Sequence, residues 1–231
     1  MSLTGQFLWV ILPYLALSIF VLGHLYRYGF SQYTWTARSS EFLEKRQLRW
    51  ASQLFHYGII FVFLGHVLGL LVPAAWTGAL GVSERLYQEQ ALLLGGVAGL
   101  LAVVGIVWFN WRRWSVARLR RNSSLGDYLA IALLLLVIAL GIYNTLLYPL
   151  SHHGPYNYRA TIAPWLRGFL TGRPDAALMV HVPATFQLHL LAAFLLFALW
   201  PFTRLVHLWS LPLAYLRRRY ILYRGLPPEA R

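Results

Sequence analysis

Residues 50–73 read WASQLFHYGIIFVFLGHVLGLLVP, and this stretch decides the fold. It is long enough to cross a bilayer, which takes roughly 20 apolar residues in a helix. Yet it carries two histidines, His56 and His66. An ionisable ring inside hydrocarbon is costly and marks a functional site by default. A second stretch, FQLHLLAAFLLFALWPFTRLVHLW at 186–209, repeats the pattern with His189 and His207.

Working outward, the whole chain has the same character. Of its 231 residues 58% are hydrophobic and 12% charged, against about 25% charged in a soluble domain. Five stretches are long enough to span: about 7–28, 50–72, 90–111, 127–149 and 183–209. The expectation is all-α: one domain over 1–231, an integral membrane bundle of five transmembrane helices. Pro13 and Pro201 lie inside spans, where neighbouring helices make proline tolerable and kinks are expected. No Lys or Arg precedes the first span, which reads as an uncleaved helix rather than a signal peptide.

The net charge of +13 suits nucleic acid only if the basic residues form a patch on a soluble domain. Here they sit in the loops, where they report topology. Sixteen lie on one side, in the 27–49 loop, the 112–121 loop and the C-terminal region from Arg204 to Arg231; Arg85, Arg159, Arg167 and Arg173 lie on the other. That places the N-terminus outside and the C-terminus in the cytoplasm. The 150–182 loop is then outside, and its Gly154, Pro155, Pro164 and Pro174 suggest that it packs over the outer end. The absence of cysteine removes disulfides, thiolate-held iron–sulfur clusters and covalent c-type haem.

This orientation puts His66 and His189 near the outer face and His56 and His207 near the inner one. Two histidine pairs stacked across a membrane suit two metal centres, and haem iron best suits paired neutral imidazoles in lipid. The spacings fit unevenly. Ten residues separate His56 from His66, about 15 Å of helical rise; eighteen separate His189 from His207, about 27 Å. A bend at Pro201 is one way to reconcile them. Alternatives stay open from the residues alone. Intramembrane histidines also serve as polar glue or proton relays, so a haem-free anchor or relay competes with haem. A relay wants a polar path, and these two spans offer only Ser52, Gln53, Thr185, Gln187 and Thr203 near their ends. Gly65 and Gly69 form a small-xxx-small spacing that reads first as helix packing.

The other histidines read more plainly. His24, at the inner end of the first span, suits a hydrogen bond or an interfacial role; His152, His153 and His181 suit the surface. Arg27, Arg112 and Arg204 lie near helix ends and are candidates for haem propionates, since arginine binds carboxylates bidentately.

Four segments together resemble the gamma subunit of membrane-bound respiratory nitrate reductase, a quinol-oxidising di-haem cytochrome b. They are RYGFSQYTWTARSSE at 27–41, the 50–73 and 186–209 stretches, and SLPLAYLRRRY at 210–220. The resemblance implies two haem b groups, the outer on His66 and His189 and the inner on His56 and His207. It implies quinol (menaquinol or ubiquinol) as substrate beside the outer haem, with Gly69, Arg85 and Tyr87 as candidate contacts. Some family members carry a lysine in the connection after the second span; here it reads GVSERLYQEQ at 81–90. Implied partners are an iron–sulfur beta subunit and a molybdenum-containing alpha subunit that reduces nitrate, in a bacterial or archaeal cytoplasmic membrane. A related di-haem subunit of a sulfur- or heterodisulfide-type complex is the nearest alternative.

Overall fold

The chain is described from a computed structural model, over residues 2–35 and 43–210. The described residues are helical and include no strand. Five helices are long and apolar enough to cross a membrane: Leu3–Phe30, Arg46–Leu71, Glu84–Ser115, Leu125–Ser151 and Ala184–Phe202. They are called the first to fifth spans below. Most of their apolar residues face outward, as lipid-solvated helices do. Arg38 and the C-terminal arginines from Arg217 onward fall outside the described residues.

Local chemistry starts the spans. Ser83 accepts the Leu86 N–H at 3.2 Å and caps the third. Ser124 and Asp127 form a reciprocal capping box on the fourth. Glu44 accepts the Gln47 and Leu48 N–H groups at 2.7 and 3.3 Å at the start of the second.

The third span is the scaffold. It packs closely on the second, because Gly58 lets the two backbones approach: a Cβ there would strike the backbone of Ala98 and Ala102. It also packs on the fourth, while the fifth packs on the first and fourth. Among the described residues, the second and fifth spans do not pack along their length. They flank a slot.

The two ends of the bundle differ. The basic end carries Arg27, Arg112, Arg113 and Arg204. The loop end carries the 152–183 connection, which brings its own helix, Ile162–Leu170. Trp165 and Met179 from this connection are fully buried against Trp9 and Phe194. Trp165 also answers a vacancy in the first span. Pro13 has no N–H for the carbonyl four residues before it, and the Trp165 indole donates to that Trp9 carbonyl at 3.0 Å.

The fifth span departs from its expected extent. It stops at Phe202 rather than continuing to 209, and Arg204–Ser210 forms a separate 3-10 turn. Pro201 cannot continue the ladder, and Thr203 is extended. The Arg27 guanidinium donates to the Pro201 and Thr203 carbonyls at 2.6 and 2.8 Å, satisfying the broken end. The break redirects the chain between His189 and His207.

Candidate functional site

Both histidine pairs form, between the second span and the fifth span with the turn that follows it. The ring centroids of His66 and His189 are 6.1 Å apart, those of His56 and His207 6.2 Å. A metal–imidazole bond of about 2.0 Å and a ring radius of about 1.2 Å place two imidazoles trans on one metal with centroids about 6.3 Å apart. The observed spacing matches. No hydrogen bond joins the two rings of either pair.

Each ring is held by the nitrogen that a metal does not use. Nδ1 of His56 lies 2.8 Å from the Ser52 carbonyl, that of His66 2.7 Å from Val62, that of His189 3.0 Å from Val137 and that of His207 2.6 Å from Arg204. A carbonyl only accepts, so Nδ1 carries the proton in all four. The neutral ring then presents a bare lone pair at Nε2, the tautomer a metal ligand needs. Among the described residues no hydrogen bond reaches these four Nε2 atoms. His24 is the contrast. Its Nδ1 lies 2.6 Å from the Phe20 carbonyl, but its Nε2 accepts from the Trp209 indole at 3.1 Å. It is a hydrogen-bonded structural histidine.

The donor set also selects the kind of group that fits. No cluster of three or more His, Asp or Glu able to hold a bare ion occurs among the described residues. Facing pairs of imidazoles would suit a metal group that takes one nitrogen from each side, as haem iron does. Room is made for the ring of His189 by Gly141, where a Cβ would lie 3.2 Å from Cε1.

The arginines expected near propionates have protein partners. Arg112 is buried and pairs with Glu44 at 2.6 Å; Arg204 pairs with Asp127 at 2.5 Å; Arg27 caps the fifth span as above. Burial raises the Glu44 carboxyl, but the Arg112 hydrogen bond and charge and two backbone N–H donors outweigh it, leaving its pKa below the ordinary value. Asp127, 4% exposed, was not picked out from the sequence. It gathers Arg113 and Arg204 beside the turn that bears His207.

The residues expected near quinol divide. Arg85 points outward and pairs with Glu89 at 2.8 Å. Tyr87 faces inward, with the guanidinium of Arg159 3.9 Å over its ring. Gly69 is buried, and a Cβ there would meet the hydroxyls of Tyr158 and Tyr87 at 2.5 and 3.1 Å. The helix-packing expectation for Gly65 and Gly69 therefore fails. Gly69 makes way for phenols, Gly65 has nothing within 4 Å, and Gly58 is the packing glycine. His152, His153 and His181 are exposed.

The sequence profile of the family described as "Nitrate reductase gamma subunit" matches residues 5–226. The nitrate reductase gamma chain of Bacillus subtilis is 46% identical over 222 residues, which cover 96% of this chain and 99% of that protein. The chain belongs to the nitrate reductase gamma subunit family. The respiratory nitrate reductase 2 gamma chain of Escherichia coli is 37% identical over 95% of this chain and 96% of its own length. The respiratory nitrate reductase 1 gamma chain of the same organism is 35% identical over 97% and 99%. Membership of this gamma subunit family agrees with five spans and makes the chain a membrane subunit of a nitrate reductase.

Proposed function

We propose that this chain is the quinol-oxidising, electron-conducting subunit of its nitrate reductase, built around two bis-histidine b haems. The observation that carries this reading is the repeated geometry: two facing imidazole pairs at about 6 Å, every Nδ1 committed to a carbonyl or its neighbour and every Nε2 bare. His66 and His189 hold the group at the loop end, His56 and His207 the one at the basic end. Haem iron, when bound, supplies one-electron redox chemistry at each pair and so joins quinol oxidation at one face to nitrate reduction at the other.

The chain's own residues do the rest. The carbonyls of Ser52, Val62, Val137 and Arg204 fix the tautomer and direction of the four rings and raise their basicity as ligands. The apolar residues that flank the four histidines, together with lipid, would tune the redox potential. The charge bias of the loops orients the loop end outside and the basic end in the cytoplasm. Quinol protons then leave at the outer face. The basic end faces an iron–sulfur beta subunit, which passes electrons to a molybdenum-containing alpha subunit. A proton relay fits the same residues less well, since each ring is tied to a backbone carbonyl at Nδ1 and His56 alone of the four has a hydroxyl beside it there, Ser52 Oγ at 3.1 Å.

His56→Ala in the assembled complex tests this. It is expected to remove the basic-end haem, keep the loop-end one, and stop quinol:nitrate turnover while an artificial donor to the partner subunits still supports nitrate reduction. Full quinol:nitrate activity in that variant sinks the assignment.

A further inference from the structure

A polar cluster at the loop end is not used by the histidine pairs. Its centre is Arg159, 6% exposed, delivered by the connection after the fourth span. Arg159 donates to Glu84 Oε2 and to Thr77 Oγ1, both at 3.0 Å. Its guanidinium lies over Tyr87, whose hydroxyl hydrogen-bonds that of Tyr158. Both phenols close over Gly69, one helical turn beyond His66. The cluster therefore runs from the turn beside the loop-end histidine to the first residue of the third span.

Two of its atoms are buried without a partner: Glu84 Oε1 and Arg159 Nε. A buried carboxylate oxygen that accepts nothing is expensive and calls for an explanation. The rest of the Glu84 side chain is 38% exposed. One carboxylate thus has an oxygen turned inward, an oxygen held by arginine, and access to water at the bundle end.

The neighbours do not share this capacity. Arg159 is permanently protonated and only donates. Burial raises the Tyr158 phenol above its ordinary value, with Tyr87 and Glu84 adding to the shift and Arg159 opposing it, so it stays protonated at neutral pH. The Thr77 hydroxyl is neutral. Arg85, next along the helix, faces away with Glu89.

We propose that Glu84 is the base that takes protons from quinol at the loop end, and that Arg159 holds and aims its carboxylate. This rests on the quinol-oxidising reading above. Oxidation of one quinol breaks two O–H bonds, forms two C=O bonds and releases two electrons and two protons. Haem held by His66 and His189 would supply the one-electron oxidant for this step. Glu84 Oε1 accepts the protons in turn and gives each to water through its exposed side. Arg159 is a positioning residue.

The test uses the assembled complex in membranes. Glu84→Gln keeps an oxygen for Arg159 but loses the base. Expected are two haems per chain, KM for quinol within about threefold, and kcat lower by about 100-fold, the lower range for loss of general base catalysis. Glu84→Asp is expected to restore part of kcat with a shifted pH profile. A redox-induced infrared difference spectrum of the wild type should show a protonated-carboxyl band that shifts in heavy water and is missing in Glu84→Gln. Unchanged kcat in Glu84→Gln, or its loss of haem or quinone binding, overturns the proposal in favour of a purely structural ion pair. Should that variant not assemble, the wild-type spectrum decides, and no carboxyl band overturns it. A wild-type complex that reduces nitrate from a viologen but not from quinol overturns the parent reading and this one with it; normal wild-type quinol oxidation confines any failure to Glu84.

Discussion

Gly141 gives the sharpest single perturbation of the loop-end pair. An alanine Cβ at that position would lie 3.2 Å from His189 Cε1, 3.7 Å from Nδ1 and 4.0 Å from Nε2. Carbon atoms rest at about 3.5–4.0 Å, so the ring must retreat by about 0.3 Å or more. That exceeds the tolerance of about 0.2 Å on a metal–ligand bond. The retreat also strains the 3.0 Å contact from Nδ1 to the Val137 carbonyl. An off-rotamer ring costs about 0.5–1.5 kcal/mol, and damage to a ligand's supporting contacts weakens metal affinity about 10–100-fold. The helix itself gains, because alanine is better than glycine by about 1 kcal/mol. Gly141→Ala should therefore leave thermal unfolding of the haem-free chain unchanged or improved while loop-end haem is held at least about 10-fold more weakly, and Gly141→Val should lose it. The assay is haem per polypeptide by optical titration, with the basic-end haem as internal control. Two haems in Gly141→Val at wild-type affinity would refute the reasoning.

Asp127→Ala removes a carboxylate, 3% exposed, from between Arg113 and Arg204; breaking such a buried pair costs about 3–5 kcal/mol, and melting should fall with basic-end haem lost first. Trp165→Phe keeps the ring but leaves the Trp9 carbonyl beside Pro13 unanswered, a cost of about 1–3 kcal/mol in thermal unfolding. The Glu44–Arg112 clasp should show in pH. Since the folded Glu44 pKa lies below its ordinary 4.5, its stabilisation is complete above that value and is lost as pH falls through the lower folded one. Glu44→Gln should flatten the acid limb of a melting-temperature profile.

The spans and the facing of the histidines were legible because apolar length gives the spans and their alternating direction sets which histidines share a depth. The position of His207 was half legible. Pro201 announced a break, but the conversion of 204–210 into a separate turn depends on Arg27, 174 residues away, capping the freed carbonyls. Asp127 and Arg159 were hidden for a common reason. Charges at the ends of membrane helices read as topology anchors, and nothing local says which of them turn inward. In the sequence Arg159 reads as one of the outer arginines, while Arg85 and Tyr87 stand out by their place after the second span; of these Arg85 is exposed and Tyr87 lies under Arg159. The helix Ile162–Leu170 does carry a signal, with Ile162, Trp165, Leu166 and Phe169 at one-face spacing, but the prolines around it read as loop. Gly65 and Gly69 matched a packing motif, but a spacing does not name its partner, and here Gly58 meets the neighbouring helix while Gly69 admits two tyrosines.

The most direct test of the central claim is a dithionite-reduced minus oxidised optical spectrum of the purified chain, with haem quantified per polypeptide. The account expects two b-type haems per chain, falling to one in His66→Ala and to the other in His207→Ala. A folded preparation made with ample haem that binds none would contradict it.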